Sequence, residues 1–275
     1  MIQLKKSGLP LYYNNETNRM ALEAPLVYQG FGHKVAKDME GLLCEKDTWD
    51  DEEPFYDVYR KIRYPEHEML LDQYGYQYDI TIVMPGLNGK ECKKTSGHYH
   101  DYNRSGKNTH PEVYEVISGT AWYILQKAMN FNQESEKLKV EDIIIAEVKA
   151  GQTIIVPPNY GHCSVNVGSD PLIFSNLAYA LGGNNYYEPV KQYHGMGVYV
   201  VMEEGKPVAK INENYPLLPQ VKFATVTANP KLGIEFGNPV YQSFLNAPEA
   251  FTFLGDVDNF VEEIMSMLHV ESVLE

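Results

Sequence analysis

From about residue 55 to residue 203 the chain runs as short apolar stretches, each closed by Gly, Pro or Asn. In order they are FYDVYRKI, YDITIVMPGLNG, EVYEVISGTAWYILQ, EDIIIAEVKAG, QTIIVPPNYG, PLIFSNLAYALGG and GVYVVMEEG. β-Branched and aromatic side chains suit a pleated surface, and turn residues at this spacing make the chain reverse again and again. The pattern predicts an antiparallel sandwich or barrel. No internal repeat, heptad or low-complexity tract interrupts it.

The flanks read differently. VAKDMEGLL (35–43) and the acidic EKDTWDDEEP predict a short helix and a turn. After about residue 206 the chain becomes rich in Pro and Asn, with little strand pattern. GDVDNFVEEIMSMLHVESVLE then predicts a terminal amphipathic helix. Phe260, Ile264 and Leu268 repeat every four residues beside Val261 and Met265, and acids fill the first turn, where the helix dipole favours them. The expected organisation is an N-terminal arm (1–25), one β domain (26–205) and a C-terminal extension (206–275) ending in that helix.

With 275 residues, 44% of them apolar, the chain has enough material for one large core. No run reaches the roughly 18 apolar residues of a membrane helix, and the N-terminus has no apolar signal-peptide region. A net charge of −14 argues against nucleic acid or an anionic membrane surface as partner, though a small anion can still bind in a locally positive site. Cys44, Cys92 and Cys163 are odd in number and far apart, which suits a reducing compartment. A soluble, cytoplasmic protein is expected.

Chemistry concentrates in TSGHYHDYNRSGKNTHPEVYEVISG (95–119). Residues two apart on a strand point the same way, so His98 and His100 can reach one point while Tyr99 faces the other side. Glu112 opens the next apolar run, and His162 follows the turn at Pro157 and Pro158. Glu115 is a rival carboxylate, but it faces away from Glu112, Tyr114 and Val116; His110 reads as a loop residue. Three imidazoles and a carboxylate suit Fe(II), Mn, Ni or Zn with open coordination positions. Either histidine of the pair alone would read as an ordinary core or surface residue.

The spacing around these residues resembles the cupin superfamily. His98, His100, Glu112 and Gly119 match its first motif, and Gly151, Pro157, His162 and Asn166 its second, with Asn159 where Gly is usual. Eleven residues separate His100 from Glu112, more than is common. The resemblance implies a mainly β fold, the double-stranded β-helix or jelly-roll barrel, with short flanking helices and a C-terminal helical extension.

Within the superfamily, KDMEGLL, EPFYDVYRKI, Thr95-x-Gly-His-x-His100 and Glu112-Val-Tyr114 look like the cupin-type glucose-6-phosphate isomerases, over roughly residues 25–205. That resemblance implies a catalytic domain acting in glycolysis and gluconeogenesis. One divalent metal, iron(II) first and Mn, Ni or Zn otherwise, would be held by His98, His100, Glu112 and His162. Glu112 and His162 would be the catalytic pair. Phosphate would meet Thr81, Thr95, Ser96 and Gly97, and the sugar Tyr56, Tyr114 and Tyr187. Glu112 would act as a base in a cis-enediol route or remain only a ligand during a hydride shift. The family's histidine before Tyr187 is missing, with Asn185 near its place, which leaves ring opening to His194 or a tyrosine. A sugar phosphate is the expected small-molecule partner and a homodimer the expected assembly. Two other classes stay open: a mononuclear-iron dioxygenase using the same ligands, and a non-catalytic sugar-phosphate-binding protein.

Overall fold

The computed structural model describes residues 1–44, 50–133 and 136–274, so the first half (45–49) of the acidic turn expected over 45–54 lies outside it, while the Glu53 amide donates to the Asp50 carbonyl at 2.9 Å in the second half. Twelve strands build the frame: β1 (Gly30–Val35), β2 (Pro54–Arg60), β3 (Tyr76–Val83), β4 (Tyr99–His100), β5 (Glu112–Ser118), β6 (Thr120–Ala128), β7 (Val140–Lys149), β8 (Thr153–Val156), β9 (Tyr160–Asn166), β10 (Leu172–Tyr179), β11 (Val221–Val226) and β12 (Leu268–Val273). One sheet has six strands in the order β8-β5-β10-β3-β2-β1, and a second has five in the order β9-β6-β7-β11-β12.

The two sheets enclose the barrel core. Tyr114, Val116, Ile154 and Phe174 from the first meet Tyr123, Leu125, Ile144 and Val165 from the second. Alternation along β5 explains this: Tyr114 and Val116 point inward, while Val113 and Ile117 point outward. A register shift between Val116 and Ser118 marks a β-bulge in the pairing with β10.

The outward face of the six-stranded sheet is covered as well. Tyr78, Ile80, Ile82 and Val113 pack beneath Leu9, Leu11 and Tyr13 of the N-terminal arm and beneath Tyr241, Phe244, Phe251 and Phe253 of the C-terminal extension. Because both faces are dry, these strands read as near-continuous apolar runs. Buried polar groups stitch the layers together. Glu115 Oε2 accepts from Ser175 Oγ at 3.2 Å and from the Val240 amide at 3.1 Å, at the start of helix α1 (Val240–Asn246). Burial pushes the Glu115 carboxyl up to about 7.

Three local expectations are corrected. The terminal helix is only five residues long, α2 (Val261–Met265), and the chain beyond it forms β12 on the open edge of β11, pairing Val226 with Leu268 and Lys222 with Val273. Leu268 satisfies both periods, and the β-branched residues of LHVESV favour the strand once an unpaired edge is available. The region after 206 is not poor in strands either, since Lys206–Ile211 pairs with Val198–Glu203 and β11 pairs parallel with β7. Only Ala36–Met39 of the 35–43 segment is helical, as a single 3₁₀ turn.

The second core yields a prediction. Phe251 is fully buried against Phe244 and Phe253. Phe251→Ala should destabilise the protein by about 3–5 kcal/mol in urea unfolding; a loss below about 1 kcal/mol would mean that the extension is only loosely attached.

Candidate metal centre

Backbone pairing sets the positions of the four side chains. His98 and His162 form an antiparallel bridge, with the His98 amide donating to the His162 carbonyl at 3.2 Å and the His162 amide donating back at 2.9 Å. Residues paired this way project on one face, and the two rings sit 4.5 Å apart. His100, two residues on, shares the side of His98, and its ring lies 4.9 Å from that of His162. Glu112 enters from the other sheet at the start of β5, between Val156 and Ala178.

Gly97 makes the approach possible. Its φ of +79° is left-handed, a conformation strained for any side chain, and a Cβ there would meet Met196 Sδ at 3.3 Å. Asn159 holds a left-handed φ of 70° in the turn before β9. Its side chain has a further use that a glycine lacks: Oδ1 accepts from the Thr109 amide at 3.1 Å and Nδ2 donates to Asn108 at 2.8 Å, tying the 101–111 loop to the turn.

Glu112 is the hub. Its Oε2 lies 3.2 Å from His100 Nε2 and 3.4 Å from His162 Nε2 and accepts from the Tyr114 hydroxyl at 2.8 Å; its Oε1 accepts from Asn176 Nδ2 at 2.6 Å. One donor atom from each of His98, His100, Glu112 and His162 lies within 4.8 Å of the others. Ligand atoms about 2.1 Å from one cation are at most about 4.2 Å apart, so small side-chain shifts close this set around an ion.

Electrostatics point the same way. Burial would raise the Glu112 carboxyl, yet the imidazoles of His100 and His162 hold it well below its ordinary range. Burial, reinforced by the neighbouring imidazoles, keeps His98 neutral, and burial also lowers His162. His100 runs against its own burial and is raised, because Glu112 and the His110 carbonyl favour its charged form. A carbonyl only accepts, so His100 Nδ1, 2.8 Å from the His110 oxygen, carries a proton. In the neutral ring the Nε2 lone pair then faces a carboxylate oxygen, a repulsion that a proton or a cation relieves. The donor set therefore fits a divalent cation.

The four side chains line one cavity of about 220 Å³, and so do Tyr56, Thr81, Thr95, Ser96, Gly97, Tyr114 and Tyr187. Tyr56 and Ser96 share a hydrogen bond at 3.0 Å, and burial pushes the Tyr56 phenol up to about 12. The Tyr187 ring lies 5.1 Å from that of His98. Lys94 points away, into a buried ion pair with Glu91, and Glu115 is on the far side of β5. His194 lines a separate cavity with Cys44 and Tyr199, whereas Asn185 lines the main one.

Sequence reasoning missed Asn176, Arg60 and Asp79. Asn176 is a polar interruption in PLIFSNLAYALGG, the one signal the sequence offers for it, and the structure sets it opposite Tyr114. Asp79 lines the cavity beside Arg60 at 3.4 Å, and burial raises its carboxyl to about 6 against hydrogen bonds from Lys61 and Gln77.

Two predictions follow from this geometry. His162→Ala should lower bound Zn(II), measured by elemental analysis after dialysis, at least tenfold, while Glu115→Gln retains it; equal content in both variants would refute the ligand set. Because His100 titrates above its ordinary value, a proton competes for Nε2 already at pH above about 6.5. Calorimetric Zn(II) affinity should fall about tenfold per pH unit between about pH 6.5 and 5.5; a flat profile would exclude His100 from the ligands.

Comparison with known proteins places the chain. Residues 33–217 match the family described as Glucose-6-phosphate isomerase (GPI). A protein of Thermococcus litoralis named Glucose-6-phosphate isomerase is 30% identical over 183 residues, covering 65% of this chain and 84% of that protein. One of Pyrococcus abyssi with the same name is 30% identical over 174 residues, covering 62% of this chain and 79% of its own length. The Putative glucose-6-phosphate isomerase 1 of Rhizobium meliloti is 25% identical over 179 residues, covering 62% and 72%. With most of the barrel inside the matched stretch, this chain is a member of the glucose-6-phosphate isomerase family.

Proposed function

We propose that the protein interconverts glucose 6-phosphate and fructose 6-phosphate, with one divalent cation held by His98, His100, Glu112 and His162. The observation that carries this reading is one cavity lined by two chemically distinct sets: imidazoles around a carboxylate, and hydroxyl and amide donors at Thr81, Thr95, Ser96 and Gly97. An aldose–ketose isomerase needs both, one to anchor the phosphate and one to work on the first two carbons.

At the anchoring end, the Thr81, Thr95 and Ser96 hydroxyls and the Gly97 amide donate to phosphate oxygens. Tyr56 stays protonated at neutral pH and so adds a phenolic donor. Binding energy collected there orients carbons 1 and 2 beside Glu112. Isomerisation moves one hydrogen between those carbons while the carbonyl migrates the other way. When bound, the cation supplies Lewis-acid stabilisation of negative charge on the sugar oxygens.

Glu112 is anionic at neutral pH and is the carboxylate at the reacting end. In the cis-enediol route it takes the proton from carbon 2 and returns it to carbon 1; in the hydride route it remains a ligand. Burial and Glu112 keep the Tyr114 phenol protonated, so its O–H holds Glu112 Oε2 in place beside His162. With His194 in another cavity, the proton transfers of ring opening fall to a tyrosine, and Tyr187 stands over His98 at the entrance.

The finer assignments belong to the same reading. Iron(II) is the proposed ion, with Mn, Ni and Zn suited to the same donors. A cytoplasmic, reducing setting is supported by Cys92 and Cys163, buried thiols without a disulfide. A homodimer is supported by exposed Phe31 on β1, the edge strand of the six-stranded sheet, and exposed Tyr28 just before it. Among the described residues, no helix is long and apolar enough to cross a membrane.

The test is a coupled assay of fructose 6-phosphate conversion to glucose 6-phosphate, on Fe(II)-loaded protein and on Thr95→Val. Turnover is expected, with kcat/KM falling at least about 10-fold in the variant, which loses one hydrogen bond to a charged group and also the acceptor that the Ser164 amide reaches at 3.0 Å. Metal-loaded protein that binds the sugar phosphate without turning it over would favour the non-catalytic alternative, and oxygen consumption the dioxygenase.

A further inference from the structure

We propose that the C-terminal extension positions His100 through His110, so that cation affinity is set in part by residues beyond the 33–217 stretch that matches the family. This rests on the reading of the four side chains as a cation site.

The connection is a chain of three short links. The Leu254 carbonyl of the extension accepts from His110 Nδ1 at 3.0 Å. The His110 carbonyl accepts from His100 Nδ1 at 2.8 Å. His100 Nε2 then faces Glu112 Oε2 at 3.2 Å. The middle link is held tightly. The His110 ring is buried and lies 4.8 Å from that of Tyr179, and a side chain at Gly182 would strike His110 Cδ2 at 3.0 Å.

The extension grips the same loop a second time. Asp258 Oδ1 accepts from Asn103 Nδ2 at 2.8 Å and from Asn108 Nδ2 at 3.0 Å. Between His100 and Glu112 the loop carries one isolated bridge, Tyr102 with Thr109, and the bonds from Asn159 to Asn108 and Thr109, so Asp258 and Leu254 are the anchors that the extension adds to these. A hydrogen bond from the second nitrogen of a ligating imidazole fixes both the tautomer and the direction of the ligating lone pair. His110 and Asp258 are thus positioning residues: neither is a ligand, and each acts through the carbonyl that orients His100.

Cobalt(II) is the probe, added to the full-length apo protein, with affinity read by titration and ligand geometry by the visible d–d bands. His110→Ala should weaken cobalt binding at least tenfold and shift the bands, as loss of such outer partners typically costs 10- to 100-fold. Asp258→Ala should move both in the same direction by a smaller amount. His110→Asn, whose amide can donate to Leu254, should restore most of the affinity. Tyr74→Phe removes the 2.7 Å bond to Glu249, a barrel–extension contact away from the loop, and should leave bands and affinity unchanged.

A folded His110→Ala protein with wild-type affinity and bands overturns the proposal. If that variant fails to fold, unchanged affinity and bands in Asp258→Ala overturn it instead. Bands that move equally in Tyr74→Phe also overturn it, since the effect would then be general loosening. Wild-type protein that takes up no cobalt, or whose bands survive His162→Ala, refutes the cation site itself, a different failure.

Discussion

A carboxylate removed from water must be compensated, and in this protein Glu112 is buried to 5% exposure at the centre of the barrel mouth. Left alone, such a charge costs several kcal/mol even after relaxation. Here two imidazole nitrogens, the Tyr114 phenol and the Asn176 amide converge on its two oxygens. Each partner comes from a different place in the chain, and each is aimed by the register of a strand pair. Tyr114 and Asn176 face each other across β5 and β10, and His98 and His162 across an antiparallel bridge. A slip of one residue in either pairing would turn these side chains to the opposite face and leave the carboxylate bare. The same requirement suits the left-handed Gly97, which turns the chain into the His98 segment beside β9 without the strain a side chain would bring.

The cluster is also the part of the site that the sequence announced best. His98, His100 and His162 are legible because a period of two and Pro-Gly punctuation place them near turns on strands. Glu112 is chosen over Glu115 by parity along β5, and the bonds of Glu115 to Ser175 and Val240 match that choice. Asn176 was harder to see, because its meaning depends on a strand partner that only pairing reveals. The His110 carbonyl was invisible: a backbone acceptor carries no residue identity, and the residue itself reads as loop. The terminal helix is shorter than the sequence predicts because Leu268 fits periods of four and two alike. What decides for a strand is the free edge of β11, itself paired in parallel with distant β7.

The C-terminal extension therefore does two things. It supplies Phe244, Phe251 and Phe253 to a second core that dries the outer face of the six-stranded sheet, and it reaches the loop that presents His100. The N-terminal arm completes that cover, with its Arg19 bonded to buried Asp57 on β2, which His33 of neighbouring β1 also meets. A barrel covered in this way keeps its pocket residues on strands whose backs are already packed, and rigid backing is what a site built to sub-ångström tolerance needs.

The proposed chemistry requires that Glu112 and the three histidines close around a single cation. The most direct measurement is a crystal structure of metal-loaded protein with anomalous data collected at the absorption edge of the bound ion. The expected result is one anomalous peak about 2.0–2.3 Å from a nitrogen of each of His98, His100 and His162 and from a Glu112 oxygen. A peak elsewhere, or these four side chains still bonded only to one another with metal in excess, would contradict it.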